Sequence, residues 1–114
     1  MGEKLYSFDE LNDQAQVTSI KDFSRFYVKC YRGNNMELLS QVSDQSMLWQ
    51  INEEAYRNKY EALEHAAKDT ITYCNHSYKK LLSQLDMKYL ANGSSECPWE
   101  EWYDKKYQSI PDGI

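Results

Sequence analysis

Glu61, Glu64, His65 and Asp69 crowd into nine residues, with His65 one helical turn from both Glu61 and Asp69. Carboxylates and an imidazole so spaced are the donors of a carboxylate-bridged metal site, which also needs a matching set, such as a second Glu-x-x-His pair, from other helices. The one other histidine, His76, stands beside Cys74, and Cys-x-His without paired partners at finger spacing is a weak zinc signal. A solvated helix face with ion pairs such as Glu64–Lys68 accounts for the cluster. Nucleophiles fare no better. Cys30 and Cys74 fall on apolar stripes, where a thiol behaves as a small hydrophobe. Cys97 is expected nearer the surface, among Glu96, Glu100 and Glu101, and acids raise a thiol pKa instead of activating it. There is no Gly-rich phosphate loop, GxSxG, HExxH or GxGxxG. No catalytic, cofactor-binding or metal-binding residue is assigned, and the expectation is a protein that is not an enzyme.

The elements that would position any site are helical. Residues 34–92 contain neither Gly nor Pro, and a run that long without breakers favours helices over strands and their turns. The 114 residues include ten Tyr, three Phe and three Trp, too aromatic for a disordered chain. The fold class is therefore all-α, in a single domain over residues 1–114: a short N-terminal capped turn plus three to five helices in a compact bundle.

In Ser7-x-x-Glu10, Ser7 caps the turn Phe8 to Leu11, flanked by Tyr6 and Leu11 as a hydrophobic staple. Asp13-x-x-Gln16 then caps a longer helix with Val17, Ile20, Phe23, Tyr27 and Cys30 on its inner face. The first turn is expected to fold back on that helix as a lid. Gly33 is placed as a left-handed C-terminal residue. Asn34-Asn35 can cap a third helix bearing Met36, Leu38, Leu39, Val42 and Met47 to Ile51, with Ser43-Asp44 as an interruption. Asn52 looks like a fresh start, and Tyr56, Tyr60, Leu63, Ala67, Ile71, Cys74, Tyr78, Leu81, Leu85 and Tyr89 recur every three or four residues up to Asn92-Gly93. One helix over 52–91 would run about 60 Å, so a kink or break is expected at Asn75-His76-Ser77. The strand-like composition of residues 70–74 is the chief challenge to the all-α assignment. Pro98 opens a last helix with Trp99, Trp102, Tyr103 and Tyr107 on one face.

Charge narrows the function classes. The formal net charge is −5, which argues against direct binding of nucleic acid. Residues 1–22 and residues 96–112 each hold five acids against two bases. Both ends can therefore contribute to an acidic face that meets a basic partner surface. No run is apolar enough to span a membrane, and the N-terminus lacks a signal peptide's basic and apolar regions. Three unpaired cysteines fit a reducing compartment, so the expected location is the cytoplasm. Tyr, Trp and Met are the residues that anchor interfaces. The best single partner-binding candidate is Glu96, Trp99, Glu100, Glu101, Trp102, Tyr103 and Asp104, acidic and aromatic together.

Tyr6-Ser7-Phe8-Asp9-Glu10-Leu11, followed by Ala15, resembles the start of small phage and prophage accessory proteins that open with Tyr-x-Phe-x-Glu-Leu, many labelled antitoxin-like. The match covers residues 6–31, and the second Ala usual in that helix is replaced here by Ser19. The resemblance implies a phage-encoded accessory protein and assigns no active-site residue. With the acidic termini it leads to one expectation: a stoichiometric inhibitor of a host nucleic-acid-handling defence protein, of anti-CRISPR or anti-restriction type. An antitoxin-like protein that neutralises a cognate toxin is the alternative. A homodimeric helical scaffold, with residues 77–90 including Tyr78 and Leu81 as its seam, is a third.

Overall fold

A computed structural model describes residues 4–33, 36–43 and 45–109. It is all-α: a 3-10 turn, Phe8–Glu10, followed by α1 (Asp13–Arg32), α2 (Glu37–Val42), α3 (Gln45–Arg57), α4 (Leu63–Gln84) and α5 (Trp99–Ser109). Among the described residues there is no strand, only isolated antiparallel bridges from Tyr89 to Tyr6 and Ser95. α4 is central, packing along α1 on one side and α3 on the other, while α5 closes against α1 and α2. One contiguous core draws Phe8, Phe23, Tyr27, Leu38, Ile51, Tyr78, Leu81, Tyr89 and Trp99 together from every helix.

The opening turn forms much as its sequence requires. Ser7 N–H donates to Glu10 Oε1 at 2.8 Å, and that bond holds the Glu10 carboxyl below its ordinary value. Phe8 and Leu11 are buried. The turn leans on α4 and on Tyr89, whose ring meets Phe8 edge-on at 6.1 Å and whose backbone exchanges two hydrogen bonds with Tyr6. The cap of α1 is Asn12, not Asp13: its side chain accepts from Ala15 N–H at 2.8 Å. Gln16 does not close a box but donates back to the Phe8 carbonyl, tying helix to turn.

Four further readings are corrected. Val17 is exposed, whereas Ser19, Ser24, Phe26 and Val28 are buried, so α1 is covered on a wider arc than its Val17–Cys30 stripe. Gly33 is not left-handed, with φ −86°, and its N–H closes on the Lys29 carbonyl. Asn52 lies inside α3, and the break falls later, at residues 58–62, making α3 and α4 an antiparallel pair instead of one rod over 52–91. α4 then stops at Gln84, well before Asn92-Gly93, because Leu85 turns extended and the chain runs on into the Tyr89 bridges.

Residues 70–74 are helical, and α4 bends at Cys74 (φ −126°, ψ 24°), one residue ahead of Asn75-His76-Ser77. Near the bend one hydroxyl competes for a backbone carbonyl and another bridges to α3. Thr70 Oγ1 bonds the Ala67 carbonyl, and Ser77 Oγ donates to Gln50 Oε1 at 2.6 Å. Ser43 is extended and separates α2 from α3. The proposed Asn34-Asn35 cap lies outside the described residues. Pro98 stands just before α5, its carbonyl accepting from Trp102 N–H. Tyr78 and Leu81 are fully buried in the core of the single chain.

Candidate interaction surface

α5 is anchored by its own tryptophans. Trp99 and Trp102 are 4 % and 7 % exposed, and Trp99 packs edge-on against Phe23 at 4.7 Å and stacks on Phe26 at 6.0 Å. Trp102 Nε1 donates to Asp86 Oδ1 at 2.7 Å, and Lys106 Nζ reaches the other carboxylate oxygen. Burial pulls the Asp86 carboxyl upward, but the bonds from Lys106 and Trp102 outweigh it and hold the group below its ordinary value. Of the aromatic face expected of this helix, Trp99 and Trp102 are thus covered by the same chain, while Tyr103 is half-buried and Tyr107 exposed. The two indoles of the seven-residue partner-binding set belong to the core.

The other five residues remain at the surface. Glu96, Glu100, Glu101 and Asp104 are exposed, and Tyr103 is half-buried. Tyr103 meets Phe26 edge-on at 6.1 Å and stacks on Tyr107 at 6.3 Å. Glu101 pairs with Lys105 at 3.1 Å, which raises the lysine's pKa, and Glu100 lies 3.9 Å from Lys29 of α1. These contacts are solvent-exposed pairs, screened by water and salt, and add little to stability. The Lys29–Glu100 pair divides the α1–α5 seam into two hollows. One, of about 280 Å³, is lined by Asp22, Arg25, Leu63, Pro98 and Trp99; the other, of about 340 Å³, by Phe26, Cys30, Tyr103 and Asp104.

The thiols are not poised for attack. Burial pushes Cys30 up to about 12, with Glu100 adding to it, and Cys74 up to about 11, with Glu54 and Glu53 adding. Cys97 is raised by partial burial and by Glu101 and Glu96. The acidic cluster on α4 is drawn apart. Glu64 pairs with Arg25 of α1 at 2.7 Å instead of with Lys68, His65 faces Asp69 at 3.4 Å, and Glu61 sits in the turn before the helix. Among the described residues, no three His, Cys, Asp or Glu side chains converge on one point.

A second surface was not foreseen. Trp49 is 67 % exposed and Tyr60 92 %, with Tyr56 and Tyr73 also largely open to solvent. Lys59 Nζ lies over the Tyr56 ring at 4.0 Å and near Tyr60 at 5.2 Å. The signal was present: 49, 53 and 56 form one stripe of α3, which Tyr60 extends into the following turn, opposite buried Leu48, Ile51 and Ala55. Carrying the α4 stripe backwards across residues 58–62 turned Tyr56 and Tyr60 inward. No family model matches the chain, and no curated protein or solved structure matches it either.

Proposed function

We propose that this chain acts by stoichiometric binding: a phage-encoded accessory protein that covers a basic surface of a host nucleic-acid-handling defence protein, of anti-CRISPR or anti-restriction type. The observation that carries the reading is the division of α5, whose indoles are locked inside while Glu100, Glu101 and Asp104 face outward beside Glu96. A helix fixed by its inner face presents its outer carboxylates at set positions. Such a surface can compete with phosphates for the cations of a nucleic-acid channel. The acidic N-terminal region adds the same sign, and the Tyr6–Leu11 resemblance supplies the phage setting.

The test combines two measurements. Expression of the chain in bacteria that restrict phage should raise plating efficiency. The purified protein should also inhibit the responsible nuclease with a sharp titration end point at a fixed molar ratio. No change in plating, together with no nuclease recovered by the immobilised protein from that host, would sink the proposal.

A further inference from the structure

We infer that the larger hollow between α1 and α5 receives an arginine side chain of the partner protein, an inference that rests on α5 being the contact face. The hollow, about 340 Å³, is built from two kinds of wall. Phe26, Cys30 and Tyr103 make an apolar and aromatic floor, with Phe26 and Tyr103 fixed edge-on at 6.1 Å. Glu100 and Asp104, one turn apart on α5, form an anionic rim, and Lys29 is the cation among the lining residues. Lys29 reaches Glu100 only at 3.9 Å, and both side chains are more than half exposed, so that pair yields readily to a competitor.

The occupant must combine an apolar stem, a flat face that rests on aromatic rings, and a positive head. A guanidinium side chain has all three, since its methylenes cover apolar surface while its planar fork stacks on aromatics and pairs with carboxylates. A lysine ammonium is a compact, strongly hydrated charge and offers no flat face. An apolar side chain would leave the carboxylate rim without a partner, and an anionic one would be repelled by it.

The experiment titrates isotope-labelled protein with the peptide acetyl-Gly-Arg-Gly-amide, followed by NMR. The comparison peptide replaces arginine by citrulline, which keeps the shape and removes the charge. The arginine peptide should shift the signals of Phe26, Cys30 and Tyr103 saturably, and the citrulline peptide should bind about fivefold more weakly or less. The E100Q/D104N double variant should bind the arginine peptide no better than the citrulline one, with an unchanged circular dichroism spectrum because both sites are exposed. Equal titration by the two peptides, shifts confined to other regions, or full binding by the double variant overturns the inference. The functional reading fails separately: saturable arginine binding without nuclease inhibition removes the proposed partner and leaves the hollow. Nuclease inhibition with a hollow blind to arginine removes the inference alone.

Discussion

Gly93 has little freedom to change. It has the positive φ of 95°, in the left-handed region, and a Cβ there would lie 2.1 Å from the Ala15 carbonyl oxygen. Ser19 seals the contact, donating to the Gly93 carbonyl at 2.7 Å while fully buried. Gly93→Ala therefore meets both backbone strain and a main-chain clash, and should cost on the order of 3 kcal/mol, read as a lower midpoint in urea. The opposite sign is expected at Tyr89. Its hydroxyl is buried without a hydrogen-bond partner among the described residues, and burial alone raises its pKa. Tyr89→Phe removes that unmet group while keeping the ring against Phe8 and Trp99, and should stabilise the fold by about 1 kcal/mol in the same assay. A fall in stability would show that the hydroxyl is satisfied.

At the scale of elements, two cross-links hold the helices in place. Arg32, at the end of α1, donates to the Asn58 carbonyl at 3.0 Å and the Glu61 carbonyl at 2.6 Å, thereby fixing the turn that reverses α3 into α4. Arg32→Ala should cost about 1–2 kcal/mol, and Arg32→Lys should recover less than half of it, because both bonds leave one Nη, which stands a bond farther from Cα than a lysine Nζ. Asp86 makes the second link, to Trp102 and Lys106. Its folded pKa lies below the unfolded value, which for an aspartate is about 3.9. Its contribution is thus present above that value and lost as pH falls through the folded pKa. Wild type should show a steeper acid-side decline in stability than Asp86→Asn, in thermal melts taken across that range. Neither link was legible beforehand. Periodicity in apolar residues shows which face of a helix is inward, so Ile20, Phe23, Tyr27, Cys30, Tyr78 and Leu81 were placed correctly. A polar side chain gives no hint of which distant carbonyl it will meet. For the same reason the turn at residues 58–62 was missed: it contains neither Gly nor Pro, and Arg32, far along the chain, holds it. The extended pairing of Tyr6, Tyr89 and Ser95 likewise has no local signature.

Across the whole molecule, two surfaces compete for the role of contact face, and their chemistry separates them. The α5 surface is anionic, with Glu96, Glu100, Glu101 and Asp104 offset in part by Lys29 and Lys105. The α3 surface is aromatic and of mixed charge, with Trp49, Tyr56 and Tyr60 among Glu53, Arg57 and Lys59. The acids of the first surface are legible in the sequence, whereas the burial of its indoles is not, since an aromatic stripe reads alike whether its own chain or another covers it. Exposed charges act over about 8 Å at physiological ionic strength and chiefly speed encounter with an oppositely charged partner. A desolvated Trp or Tyr acts mainly through the dissociation rate. A variant with Glu96→Gln, Glu100→Gln, Glu101→Gln and Asp104→Asn should therefore associate with the captured nuclease about tenfold or more slowly, and its association rate should lose most of its dependence on salt. Trp49→Ser should leave both rate constants within about twofold of wild type, a change too small to matter beside that loss. All five positions are solvent-facing or at the surface edge, so circular dichroism should not separate the variants from wild type. If surface plasmon resonance instead finds the acidic quartet neutral and Trp49→Ser dissociating rapidly, the contact lies on α3 and the acidic termini serve solubility alone.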